Sequence, residues 1–133
     1  MNAHNRGVNV RIITDDEAMK NKGADTQRMA DNGIPCRVDS EERYHMHNKF
    51  MIVDNLFLVT GSFNWTFQAG KSNQENIIVV DGKFYIDKYV EEFDSLWDQF
   101  EDNTVEAKSG GGGGGNNQYK RGGNKKSKYN NYN

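Results

Sequence analysis

The residues best suited to chemistry fall in two short runs, His47-Asn48-Lys49 with Asp54 beyond it, and Gly61-Ser62-Phe63-Asn64. Together they read HxK(x)4D(x)6GSxN. Attack on a phosphodiester needs a nucleophile, a cation for the phosphate oxygens, and donors for the charge that builds in the transition state. An imidazole, an ammonium, a hydroxyl and an amide are those parts. His47 and Lys49 are two apart in a stretch that reads as a strand, so both side chains are expected on one face, where they can meet one phosphate. Gly61, lacking a side chain, permits close backbone approach to a ligand. In isolation Gly-Ser is an ordinary turn and a strand histidine is usually structural; the weight comes from the complete spacing.

His45 falls on the same expected face, and His-x-His on a strand is a common half of a zinc site. No third ligand of the usual kind is evident, since His4 is remote and Cys36 stands alone on the preceding strand. The expectation is therefore no metal and no cofactor.

Over residues 44–97 the chain resembles the phospholipase D superfamily, whose signature is the pattern above. The wording YHMHNKFMIVD, TGSFNWT and NQENIIVV, followed by Tyr89, Phe93 and Trp97 at intervals of four, looks most like one set of short single-motif members. That set is the mitochondrial cardiolipin hydrolase (Zucchini endonuclease) group; bacterial endonucleases form another. The resemblance implies that His47 is a nucleophile forming a phosphohistidine, and that Lys49, Ser62 and Asn64 bind the phosphate. Glu75 is implied to accept a hydrogen bond from the nucleophilic histidine, fixing its tautomer and stabilising the imidazolium. Asp54 completes the signature, but at a hairpin it is expected to order the turn or a motif neighbour rather than to take a proton.

Superfamily active sites combine two such motifs, and this sequence carries one, so the resemblance implies a homodimer. The chemistry supplies a reason: one histidine must be deprotonated to attack phosphorus while a second is protonated to serve the leaving alkoxide. Two Lys49 ammoniums would then provide the positive charge. The implied activity is phosphodiester hydrolysis, on a phospholipid such as cardiolipin. A single-strand-preferring endonuclease, for RNA or DNA, is the alternative within the family. A truncated relative that binds phosphate or RNA without turnover is the alternative outside enzymology.

The elements that must position these residues can be read from periodicity. Val8 to Ile13 and Ile34 to Val38 read as strands, with Pro35 placing the second at a sheet edge or a strand start. A helix is expected between them, interrupted by Gly23 and stopped at Asn32-Gly33. Met46 to Val53 and Leu56 to Thr60 read as a hairpin turning at Asp54-Asn55, and Asn76 to Val80 as a further strand. From Phe84 to Phe100 the apolar residues recur at three and four, the mark of an amphipathic helix. Trp65, Phe67 and Trp97 read as core. The order predicts an α/β fold with a mixed sheet flanked by helices. The resemblance implies that this fold is phospholipase D-like, with the first strand and helix that the family places ahead of Val8 expected to be missing.

Domain organisation follows composition. Residues 1–108 are expected to be the catalytic domain, N-terminally incomplete, and residues 109–133 a disordered basic tail rich in Gly, Asn, Lys and Tyr, because six consecutive glycines resist ordering. The tail carries five basic residues and no acid; the twelve basic and nineteen acidic residues elsewhere leave −7 there, for a net charge of −2. An acidic body argues against a broad nucleic-acid surface on the domain, whereas the tail, with Tyr119, Tyr129 and Tyr132, has the composition to contact RNA or an anionic membrane. A single cysteine excludes an intrachain disulfide and suits a reducing compartment. With no signal or anchor in these residues, the expected location is intracellular, in the cytoplasm or at the mitochondrial surface.

Overall fold

Ile12, Ile13 and Thr14 are β-branched, which suits a pleated strand, and in the computed structural model they form β1 (Ile12–Thr14). The structure describes residues 1–20, 24–39 and 45–108; the expected tail, 109–133, lies outside the described residues. The chain divides into two compact units, one comprising residues 1–46 and the chain from Trp97, the other His47–Leu96.

In the first unit, a four-residue helix α1 (Asn2–Asn5) precedes β1. β1 pairs in parallel with β2 (Cys36–Val38), Ile12 opposite Cys36 and Thr14 opposite Val38. The ladder is shorter than the sequence suggests: Val8 lies outside it, and Pro35, with no N–H to donate, contributes only its carbonyl, to Ile12 N at 3.0 Å. The expected intervening helix resolves into a 3-10 turn, Ala18–Lys20, and α2 (Thr26–Asp31). Its stop is where it was expected, with Gly33 at φ +84° closing the end. Met19, Ala30, Ile34, Cys36, Val38 and Val105 form the buried core. Burial raises the Cys36 thiol to about 11, which keeps it unreactive. Trp97 lies beneath the Arg37 guanidinium, 4.2 Å from the ring centroid, a cation–π contact rather than a purely apolar one.

The second unit is a three-stranded antiparallel sheet of β3 (Phe50–Val53), β4 (Phe57–Gly61) and β5 (Ile77–Val80). The parallel and antiparallel pairings expected of a mixed α/β fold are both present, as two separate ladders among the described residues. The β3–β4 turn holds Asp54 and Asn55 at φ 53° and 54°, a left-handed conformation these two residue types tolerate. Register places Phe50, Ile52, Leu58 and Val80 on one face. Against Phe50 pack Tyr89 and Phe93 of α4 (Lys83–Gln99), edge-on at 5.0 and 6.4 Å. Leu58 and Ile86 are buried in the same unit. The opposite face carries Met51, Val53, Phe57, Ile77 and Val79, all exposed.

Three expectations are corrected here. β3 begins at Phe50, not Met46, so His47 and Lys49 precede the ladder. Phe84 and Tyr85 are exposed, and the buried stripe of α4 begins at Ile86. Trp65 and Phe67 are not core: Phe67 is 83% exposed. They flank Thr66, which caps a helix the sequence did not suggest, α3 (Phe67–Lys71), through a bond from Ala69 N to Thr66 Oγ1. Among the described residues no helix is long and apolar enough to cross a membrane.

Candidate active site

Lys49 is the hub of the motif. Its ammonium donates to the His47 carbonyl at 2.7 Å, and its own carbonyl accepts from the Thr60 hydroxyl at 3.1 Å, which ties the lead-in to β3 onto β4. Two residues beyond Thr60, the Ser62 hydroxyl donates to Glu75 Oε2 at 2.5 Å and accepts from Asn76 N at 3.1 Å. Asn73 donates to the other carboxylate oxygen at 3.0 Å. These bonds hold the Glu75 carboxyl below its ordinary value, Ser62 contributing most, then Asn73, with the Lys49 charge adding to them. The residue therefore stays a carboxylate.

The motif glycine has a definite reason. A Cβ on Gly61 would lie 2.1 Å from the Asn76 carbonyl oxygen and 2.9 Å from Ile77 Cα. Close approach at this position is thus to the neighbouring strand. That approach lets Ser62 N reach the Asn76 carbonyl at 3.0 Å and aligns the 62–64 run beside Glu75.

Lys49, Ser62 and Glu75 are linked in this way. His47 is exposed, and its imidazole makes no hydrogen bond or ion pair among the described residues; both Glu75 oxygens are taken by Ser62 and Asn73 instead. Asn64 is exposed, its carbonyl accepting from Thr66 N at 2.7 Å. Asp54 sits in the hairpin turn, away from the Ser62 and Glu75 bonds. Asn73 escaped the sequence reading, although it stands two residues before Glu75 in the quoted NQEN run.

His45 turns out to have carboxylate neighbours. The parallel strands end side by side at Thr14 and Val38, which brings Asp15 and Asp39 together. Donor atoms of Asp15, Asp39 and His45 lie within 4.8 Å of one another. These types suit a divalent cation, but the groups are already engaged. His45 Nδ1 is 2.9 Å from Asp15 Oδ2, and Asp15 Oδ1 accepts from Ala18 N at 2.7 Å. Asp39 accepts from Asp16 N at 2.8 Å and Met46 N at 2.5 Å. Burial raises the Asp39 carboxyl, opposed by those two bonds. Through these bonds the cluster holds the backbone of Asp16, Ala18 and Met46.

With this geometry in place, comparison with known proteins is decisive. Residues 1–97 match the family described as "Cardiolipin synthase, PLD-like domain". The chain belongs to the phospholipase D-like family. It is 40% identical over 98 residues to mitochondrial cardiolipin hydrolase of Xenopus tropicalis, covering 74% of this chain and 46% of that one. To mitochondrial cardiolipin hydrolase of Chlamydomonas reinhardtii it is 43% identical over 97 residues, covering 73% and 43%. The crystal structure of a phospholipase D family member, Nuc from Salmonella typhimurium, superposes with a TM-score of 0.68 at 34% identity, covering 74% of this chain and 66% of that one. The mixed α/β architecture is thereby that of the family. The chain spans less than half the length of these two curated relatives.

Proposed function

We propose that this protein is a phosphodiester hydrolase of the phospholipase D type, acting through a phosphohistidine on His47, with a phospholipid such as cardiolipin as substrate. The observation that carries this reading is the linkage through Lys49. One ammonium braces the His47 backbone and acts electrostatically on Glu75, which in turn orients Ser62. That linkage supports a reading in which His47 serves as nucleophile, Lys49 as cation and Ser62 as hydroxyl donor to one phosphate. The names of the curated relatives favour the lipid.

In the proposed reaction an unprotonated imidazole nitrogen of His47 attacks phosphorus, the bond to the leaving oxygen breaks, and a protonated His47 from a second copy supplies the proton. The second imidazole then takes a proton from water, whose oxygen displaces His47 and releases a phosphate monoester. Both histidines return to their starting states. The exposed apolar face of β3–β5 supports a second copy, because an uncovered sheet face of this kind suits an interface between protomers. Residues 1–108 act as the catalytic domain and 109–133 as a basic appendage.

Rapid quenching without acid should reveal a phosphoryl adduct on His47 by mass spectrometry, and His47→Asn should abolish both adduct and hydrolysis while retaining the wild-type circular dichroism. An active protein that never shows the adduct would refute the covalent route. The second reading, hydrolysis of single-stranded nucleic acid, draws on the five basic residues and three tyrosines of 109–133. Competition between cardiolipin vesicles and single-stranded RNA or DNA, with the full chain and a chain ending at Lys108, separates the two.

A further inference from the structure

Two large aromatic side chains stand in water just beyond the phosphate-binding run: Phe67 is 83% exposed and Trp65 59%. Ordered structure presents both. Trp65 packs against Phe63 with ring centroids 5.5 Å apart, and Thr66, between the two exposed rings, caps α3 at 3.1 Å. They follow Ser62 by three and five residues, so whatever receives them lies beside the site.

The surrounding charge selects the occupant. Between Asn55 and Gln74 there is no carboxylate, and Lys71 is the sole charged side chain; the acids of this unit are Asp54 and Glu75 at the two ends of that stretch, the latter engaged by Ser62 and Asn73, and Asp81, Asp87, Glu91, Glu92 and Asp94 beyond it. Exposed indole and phenyl rings, with Lys71 near in sequence and Lys49 in the site, match an anionic bilayer surface. There the rings enter the acyl boundary and ammoniums meet headgroup phosphates. A nucleic-acid strand would take most of its affinity from several phosphate contacts, and this segment offers one lysine. A second copy has a larger apolar surface available on the outer face of the sheet.

We infer that Trp65 and Phe67 form an interfacial anchor that inserts into an anionic phospholipid bilayer and brings Lys49, Ser62 and Asn64 to the headgroup phosphodiester. This deepens the hydrolase reading above and rests on it.

The test uses the full chain and vesicles of phosphatidylcholine with or without cardiolipin. Trp97→Phe leaves Trp65 as the one indole. Its emission should shift to the blue on anionic vesicles and be quenched by brominated acyl chains. In a flotation assay, Phe67→Ser should weaken partitioning by roughly tenfold or more, as loss of one inserted aromatic implies. Its hydrolysis of the soluble diester bis(p-nitrophenyl) phosphate should be unchanged. Unaltered Trp65 emission, or unaltered flotation of Phe67→Ser, overturns the anchor. So does a Phe67→Ser variant whose losses fall on single-stranded RNA binding or on dimer mass instead. Should vesicle binding depend on Phe67 while the wild-type chain hydrolyses neither the soluble diester nor the lipid, the anchor stands and the hydrolase reading falls.

Discussion

In the proposed site, Glu75 would act on the phosphate-binding residues without a bond to His47. Its oxygens hold Ser62 and Asn73, and its negative charge faces Lys49. Glu75→Gln keeps an acceptor for Ser62 but removes the charge and one acceptor, so hydrolysis should fall by about tenfold, against complete loss in His47→Asn. A pH series adds a sign. The folded value of Glu75 lies below its ordinary 4.5, so the folded state holds fewer protons there than the unfolded chain. The stability this group contributes is therefore present above pH 4.5 and lost as pH falls through the lower folded value. Unfolding curves from pH 7 to 3 should show wild type and Glu75→Gln converging only below 4.5, and convergence well above it would contradict the bonding described.

At the scale of elements, the β4–β5 pairing sets the site as much as the motif does. Gly61 is opposite Ile77, and the space for a Cβ is filled by Asn76 backbone. Relief requires moving one strand from the other, which also moves Ser62 from Glu75. Gly61→Ala should cost about 1–3 kcal/mol in urea unfolding, in the range of steric insertions into packed structure, and should lower activity in parallel. A neutral substitution would mean that the strands separate more easily than their hydrogen bonds suggest. The hairpin illustrates the converse: Asp54 and Asn55 adopt the left-handed turn their chemistry favours. The motif aspartate thus has a structural occupation already.

For the whole molecule, the proposed mechanism with one motif per chain would make the assembly part of the chemistry. Light scattering at working concentrations should report a dimer, and a monomer with full activity would exclude the shared site. Exhaustive chelation with EDTA should leave hydrolysis intact, because in the proposed dimer two Lys49 ammoniums would supply the charge a metal otherwise would. Activity lost to EDTA and restored by zinc would instead direct attention to Asp15, Asp39 and His45, where the donor atoms already converge.

The sequence by itself determined the family and the chemical parts, because HxK(x)4D(x)6GSxN constrains residue type and spacing together. It also made legible the hairpin turn, the end of α2 and the long helix α4, since left-handed turns, helix stops and apolar periodicity are local properties. Contacts across the chain were decided only by tertiary structure. The pairing of Glu75 with Ser62 depends on β4 lying beside β5, and the Asp15, Asp39 and His45 cluster on parallel strands ending together. The exposure of Trp65 and Phe67 inverted the sequence expectation for the same reason. Hydrophobicity marks a side chain as able to be buried, but whether anything covers it is settled by what packs nearby.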